Sequence, residues 1–401
     1  MTGKIFIAVF LSAFLFVHSP AHGAGDASQL EIEELRREIR EIREMAARYE
    51  AKIAELEARV VQQERKSTES EIHAEHGHSD HVPGLHHNHG MLGDKVKPIG
   101  AIDARYVRVD GEKNTLFLHE ANVGVQADIT DWLFGFITLT KHHGHEAEIE
   151  EAYARLHFEE WGLSAKPGKF FVNFGPENIA HFSERRTITL SAMHEGMFGS
   201  EPWADTGAQF DWRIPFDHYS NVSFSVLNGD NPVSFGDGTS TFSNNNMPVA
   251  VSWTNAFETE NGLLRFGPEL AYGQWDRDDK YNVYIAGGEV YYKWGNFDAQ
   301  AELMYRSKEE MPGVKENNAY GYYAWGAYNF SFEYKYLRGI ELLAGFGQFL
   351  PDTGDRETRI TPQVAFIIND YAKVRAAYEI RDQYPKDSKD NRFITQCVLS
   401  F

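Results

Sequence analysis

The sequence has one cysteine, an excess of acidic over basic residues, and no long apolar run beyond its N-terminus. Cys397 has no second cysteine to pair with in the 401 residues, which excludes a small secreted domain held by disulfides. The 39 Lys and Arg against 59 Asp and Glu give a formal charge of −20. Such a chain is a poor partner for nucleic acid, because phosphate binding needs a basic surface. A helical membrane protein is also disfavoured, since a membrane-spanning helix needs about 20 apolar residues in a row.

Residues 1–23 have the parts of a secretory signal peptide. Lys4 supplies the positive end, Ile5 to Val17 form a short apolar core, and Ala21-His22-Gly23 offers small residues at the positions that signal peptidase reads. We expect the mature chain to start near Ala24. The alternative is a membrane anchor that is never cleaved.

Residues 24–66 are predicted to form a periplasmic coiled coil. Apolar residues repeat every seven positions from Gln29 to about Lys66, with acidic and basic residues between them. One position of the repeat holds Ile32, Ile39, Ala46, Ile53 and Val60, and the other holds Leu35, Ile42, Tyr49 and Leu56. This seam implies self-association: Ile at both positions favours trimers, and Leu at the second favours dimers. A single amphipathic helix lying on another surface is the alternative.

Residues 67–95 read as a flexible, histidine-rich linker containing Pro83. Several imidazoles in such a tract can chelate zinc or another divalent metal. The candidate ligands here are His73, His76, His78, His81, His86, His87 and His89, joined by a second group in a predicted loop, His142, His143 and His145. No cofactor is required by the sequence, and a solvated tether that binds no ion is the competing interpretation.

Residues 96–401 change to a period of two, which is typical of β-strands. Leu303 and Tyr305 alternate with Glu302, Met304 and Arg306, and the same pattern recurs along the chain. Many of these segments run ten residues or more, a length that matches a tilted transmembrane strand. Aromatics make up 14% of the chain, and aromatics at strand ends are typical of interfacial girdles. The predicted girdle residues are Trp132, Trp161, Trp253, Trp275 and Trp294. We therefore predict an all-β fold, a transmembrane antiparallel β-barrel.

The turn pattern predicts about sixteen strands, with fourteen or eighteen as alternatives. The predicted starts are residues 99, 115, 132, 147, 163, 205, 219, 247, 263, 282, 297, 319, 338, 358, 371 and 391. Short turns such as 128–131 alternate with longer loops such as 175–204. An even number of strands places the start of the first strand and the end of the last strand in the periplasm, as the N-terminal coiled coil requires. A last strand ending in Phe401 resembles the signal read by the barrel-assembly machinery.

Residues 147–215 resemble bacterial outer-membrane porin-like proteins related to the phosphate-selective and siderophore porins. The motifs that carry the resemblance are Glu150-Glu151-Ala152-Tyr153, Gly168-Lys169-Phe170-Phe171 and Phe174-Gly175, with His181 downstream. The resemblance implies a diffusion channel for small solutes or ions in outer-membrane lipid, assembled as a homotrimer through barrel and coiled coil. It does not identify the solute.

In general porins a long third external loop folds into the pore, and the resemblance suggests this role for residues 175–204. The candidate selectivity residues in this loop are His181, Glu184, Arg185, Arg186, His194 and Glu195. Arg185 and Arg186 would favour anions, whereas the two histidines and Glu195 could hold a divalent metal. A loop lying over the mouth with ordinary surface charges is the alternative.

The leading hypothesis is therefore a passive porin, and the main alternative is a metal-binding outer-membrane uptake protein. A barrel enzyme is disfavoured, because no local nucleophile motif such as G-x-S-x-G occurs. A plugged barrel that only tethers the envelope layers is the remaining alternative.

Overall fold

A computed structural model describes residues 95–109, 114–231, 233–235, 247–275, 280–310, 318–384 and 390–400. All of them belong to one compact unit, Asn88–Phe401. The predicted signal peptide, the coiled coil and the histidine-rich linker up to residue 94 lie outside the described residues. Those three predictions stay predictions.

The described residues form sixteen antiparallel strands in a closed barrel, as the sequence predicts. Each strand pairs with its neighbours in the chain, and β1 closes the cylinder by pairing with β16 from Ala101↔Ser400 to Val109↔Arg392. The first eight strands are β1 Val96–Val109, β2 Thr115–Thr130, β3 Leu133–His142, β4 Ala147–Phe158, β5 Leu163–Phe171, β6 Ala204–Arg213, β7 Tyr219–Leu227 and β8 Val249–Thr259. The remaining eight are β9 Gly262–Gln274, β10 Asn282–Trp294, β11 Phe297–Lys308, β12 Asn318–Tyr334, β13 Leu337–Pro351, β14 Arg356–Asn369, β15 Ala372–Tyr384 and β16 Arg392–Ser400.

The two-residue period sorts the side chains between the inside and the outside of the barrel. On β11, Asp298, Glu302 and Arg306 are at most 3% exposed, whereas Leu303 and Tyr305 are 62% and 47% exposed. This inverts the rule for a water-soluble protein, in which large apolar residues are buried. The outer face is therefore apolar and the inner face polar, as expected of a barrel in lipid.

The predicted strand starts agree with the observed ones to within three residues. One predicted turn, residues 128–131, is wrong in its bounds, because β2 continues to Thr130 and Thr130 pairs with Leu133. The chain reverses in the two residues between them. Connections of two to five residues lie at one end of the barrel, with the start of β1 and the end of β16, and all connections longer than five residues lie at the other end.

The tryptophans expected at strand ends lie in different surroundings. Trp132, Trp161 and Trp294 are between 53% and 67% exposed at the short-turn end, which suits an interfacial girdle, whereas Trp253 is 41% exposed in the middle of β8. Trp275 is 3% exposed and belongs to a buried apolar cluster with Phe235. Its assignment to the girdle is therefore wrong, because the residue follows β9 and is covered by the loops.

Residues 172–203 connect β5 to β6 as the third connection at the long-loop end, and we call them the inner loop. They contain two short helices, α1 Pro176–Ile179 and α2 Ala192–Phe198. Ser191 caps α2 by accepting a hydrogen bond from the His194 backbone N–H, and Gly199 ends the helix. Asn178 closes the base of the inner loop, since its side-chain amide donates to Val172 O at 2.7 Å and to Trp203 O at 3.1 Å.

Within the part of the chain described, no helix is long and apolar enough to cross a membrane.

Candidate functional site

The inner loop lies inside the barrel and bonds to its wall on several sides. The wall residues that bond to it come from β2, β9, β11, β13, β14 and β15, namely Asn122, Glu269, Asp298, Arg306, Glu341, Arg359, Gln363 and Arg375. Asp298, Glu341 and Arg375 lie within about five residues of the short-turn ends of their strands, a depth that a loop over the opposite mouth would not reach. The prediction of an inward-folded third loop is therefore supported by geometry.

Arg375 on β15 is the most enclosed of the basic anchors, with 1% of the residue exposed. Its guanidinium donates to Arg185 O at 2.6 Å, to Arg186 O at 3.2 Å and to Phe182 O at 3.3 Å. A planar guanidinium carries five N–H donors in a fixed fork, so one side chain can hold several carbonyls. Arg375 thus fixes the middle of the inner loop to β15.

A second anchor joins Glu195 of α2 to the basic wall. Arg359 Nη2 lies 2.7 Å from Glu195 Oε2, and its Nη1 donates to Leu190 O at 2.7 Å. Arg381 lies 3.6 Å from the same carboxylate and 2.6 Å from Glu357. The charge predicted to select ions at Glu195 is therefore largely balanced by the wall, and the residue serves to position α2.

Arg186, one of the two arginines predicted to attract anions, reaches the acidic side of the lumen. Its Nη2 lies 2.8 Å from Asp298 Oδ2, and its Nη1 also pairs with Glu341. The neighbouring Glu184 is exposed, whereas Arg185 is partly covered. Glu184 is thus the charged residue among the six predicted loop positions that is most open to water.

An apolar cluster holds the ends of the inner loop against the wall. Phe174, Phe198 and Trp203 are each at most 2% exposed, and their ring centroids lie 5.2 to 5.9 Å apart, with Phe198 stacked on Trp203. They pack with Met304 of β11 and Phe235 of the β7–β8 connection. Side chains of this size contribute about 1.5–3 kcal/mol each when buried, so this cluster fixes the loop independently of the charged anchors.

His194 does not join the other predicted loop residues. It is 1% exposed, its ring lies 5.3 Å from that of Phe198, and its Nε2 has no hydrogen-bond partner. Burial, with a smaller contribution from the charge of Arg185, lowers the pKa of His194 to about 3. The imidazole is therefore neutral and lies within the packing of α2.

The predicted metal-binding histidines of the β3–β4 turn differ in their surroundings. His142, the last residue of β3, is buried on the lumen side. His143 is exposed and stacks on Phe117 with centroids 4.6 Å apart, and exposed His145 lies with its ring 6.5 Å from that of His142. The seven linker histidines lie outside the described residues.

His142 instead meets acidic residues, and a histidine of the inner loop approaches the same carboxylates. Among the described residues, Glu120, His142 and Glu150 form the one group whose ligand-type atoms all lie within 4.8 Å of one another. His181 of the inner loop places Nε2 3.6 Å from both Glu120 and Glu150. Glu150 belongs to a motif of the family resemblance, but no local pattern in the sequence joins Glu120 or Glu150 to His181.

No protein-family model matches the chain. An uncharacterized protein of Aquifex aeolicus (strain VF5) is 27% identical over 209 residues, which cover 48% of this chain. The chain spans only 40% of that relative's length.

The fold is found in solved structures. The outer membrane channel DcaP of Acinetobacter baumannii superposes with a TM-score of 0.56 at 13% identity, covering 76% of this chain and 97% of that one. The barrel has the fold of outer-membrane porins. An anion-selective porin from Comamonas acidovorans gives a TM-score of 0.54 at 9% identity, covering 76% of this chain and 99% of the porin. The trimer form of OmpT, an outer membrane protein of Vibrio cholerae, gives 0.52 at 11% identity, covering 76% and 99%. At these identities the likeness concerns the fold.

Proposed function

We propose that the protein is a porin, a passive diffusion channel of the bacterial outer membrane for small hydrophilic solutes or ions. The observation that carries this proposal is the inner loop, bonded inside a closed barrel whose outer face is apolar and whose inner face is charged. Irregular backbone at membrane depth is tolerated where it is buried in protein or lines a watery cavity. The inner loop would narrow the lumen and set which solutes pass.

The charges inside the barrel support passage of polar rather than apolar solutes. Basic side chains of β14 and β15 hold one part of the inner loop, and acidic residues of β11 and β13 hold Arg186. Exposed Glu184 would be met by a passing solute. Phosphate and siderophore complexes, the solutes suggested by the family resemblance, are polar and fit such a passage as proposals.

The proposal includes location and assembly. Barrels of this fold are known from outer-membrane proteins, and one structural neighbour is described as a trimer form. The start of β1 and the end of β16 both lie at the short-turn end of the barrel, which would place the N-terminal region in the periplasm. A homotrimer held through the barrel and the predicted coiled coil is tested by chemical crosslinking of the full chain in outer-membrane vesicles.

Reconstitution of the full chain into planar bilayers tests the channel. We expect discrete current steps, because a watery lumen passes ions even when a loop narrows it. The matched comparison is a variant lacking residues 182–190, the middle of the inner loop, which should give larger steps. A well-folded full-length sample that leaves the bilayer sealed would defeat the proposal. If the deletion variant conducted and the full chain did not, the barrel would be the plugged tether instead.

A further inference from the structure

Four side chains from three strands and the inner loop converge on one point of the lumen wall. Glu120 lies on β2, His142 ends β3, Glu150 lies on β4 and His181 comes from the inner loop. Register shifts in the β1–β2 and β3–β4 ladders lie beside Glu120 and Glu150. Such bulges re-aim side chains, and here they accompany carboxylates that point inward beside His142.

The polar atoms at this point face one another without forming good hydrogen bonds. His142 Nδ1 lies 3.8 Å from Glu120 Oε2, and His181 Nε2 lies 3.6 Å from Glu120 Oε1 and from Glu150 Oε2. These separations exceed hydrogen-bond length. Glu120 and His142 are 3% and 8% exposed, and Glu120 Oε1 and His142 Nδ1 have no hydrogen-bond partner. Buried polar atoms without partners are unfavourable, so the cluster is suited to an added cation.

The spacing is slightly wider than that of a metal coordination shell. Ligand atoms held tetrahedrally at the zinc distances of about 2.0–2.2 Å lie roughly 3.3–3.6 Å from one another. The 3.6 Å separations of His181 Nε2 from Glu120 and Glu150 match this spacing, whereas His142 Nδ1 lies 3.8 Å from the other oxygen of Glu120, and single ligand atoms of Glu120, His142 and Glu150 lie within 4.8 Å of one another. Binding of one ion would therefore draw these ligands slightly together. Two imidazoles and two carboxylates favour zinc or a similar transition metal, whereas calcium and magnesium prefer oxygen ligands alone.

The surroundings of the cluster also suit ligands. Thr140 Oγ1 donates to Glu150 Oε2 at 2.6 Å, and His181 Nδ1 lies 3.1 Å from Ser183 Oγ, so both ligands are oriented by a second hydrogen bond. Asn122 Nδ2 lies 2.5 Å from His181 Nε2, and a metal would replace this contact. Glu201, half exposed, lies 3.9 Å from His142 Nδ1 at the edge of the cluster.

We propose that Glu120, His142, Glu150 and His181 bind one divalent transition-metal ion of the zinc class. The ion would join the inner loop to β2, β3 and β4, where the charge of Arg185 already acts on Glu120, and so add to the fixing of the loop by β14 and β15. The site differs from the histidine groups suggested by the sequence, because it takes one histidine from each of two segments. The metal-binding proposal holds whether or not the barrel conducts ions.

Zinc binding to the folded full chain in detergent tests the proposal. The seven linker histidines are first replaced by alanine, so that they contribute no zinc. Equilibrium dialysis after chelator treatment should leave one equivalent of zinc per chain, and X-ray absorption at the zinc edge should show two imidazole ligands. His142→Ala, His181→Gln and Glu120→Gln should each weaken zinc binding by more than about tenfold.

His143→Ala is the matched control, because it removes the adjacent imidazole, which stacks on Phe117 away from the cluster. It should retain the full equivalent. If His142→Ala does not fold, His181→Gln in the inner loop carries the test, with folding checked by circular dichroism. The proposal is overturned if the full chain binds no stoichiometric zinc, or if His181→Gln binds it as tightly as His143→Ala.

Discussion

Replacing Arg375 by methionine should release the middle of the inner loop while leaving the barrel closed. The guanidinium donates four hydrogen bonds of 2.6 to 3.4 Å to backbone carbonyls of residues 182, 185, 186 and 187. Hydrogen bonds from a charged donor contribute about 1.5–3 kcal/mol each. Part of this total offsets the cost of burying the charge. A net loss of about 2–4 kcal/mol in loop docking follows, which raises the undocked population about 30- to 900-fold.

Trypsin provides the assay, because an undocked loop exposes the peptide bonds after Arg185 and Arg186. Cleavage of Arg375→Met in the folded state should be faster than that of the parent chain, and its single-channel current should be larger. Arg338→Met is the control: this arginine is 58% exposed at its side chain and pairs with Asp370 at the short-turn end. Equal cleavage rates and currents for Arg375→Met and the parent chain would refute the anchoring role.

Three further predictions concern the loop and the outer face. Burial raises the pKa of Glu177 from 4.5 to about 7. The free energy of unfolding is therefore highest below pH 4.5 and falls by about 3 kcal/mol as the pH rises to about 7, because the folded state holds the proton that the unfolded state has lost. Glu177→Gln should therefore raise the thermal midpoint at pH 8 more than at pH 5, and equal shifts would contradict the burial argument. Trp203→Ala should cost about 3–5 kcal/mol in denaturant unfolding, against a small effect for exposed Trp161→Ala. Leu303→Arg should cost about 2–4 kcal/mol in vesicles if this residue faces lipid; a cost as small as that of Leu303→Met would place it in water.

The strands could be predicted from the sequence because burial in a barrel alternates strictly with chain position. Leu303 and Glu302 are adjacent in the sequence but face opposite sides of the barrel wall, so the alternation can be recognised in a single sequence without an alignment. Trp275 was misassigned because a strand-end tryptophan carries the same local signal whether it meets lipid or a covering loop.

The partners of the inner loop could not be predicted in the same way. Arg375 and Phe182 are separated by 193 positions, and nothing local to either residue indicates their contact. The cluster of Glu120, His142, Glu150 and His181 depends on register shifts in two strand pairs, which the alternating pattern does not reveal. The histidines of the β3–β4 turn are close in the sequence, yet of these three only His142 joins the cluster with Glu120 and Glu150.

The central claim is that the inner loop lies in a conducting path, and modification of a loop residue during current recording tests it most directly. Glu184, exposed in the inner loop, is replaced by cysteine in a Cys397→Ser background, and a bulky thiol reagent is added to the open channel. Asp355→Cys, exposed in the turn between β13 and β14, is the matched control. We predict a stepwise fall in current for Glu184→Cys and none for Asp355→Cys. An unchanged current after complete labelling of Glu184→Cys would contradict the account.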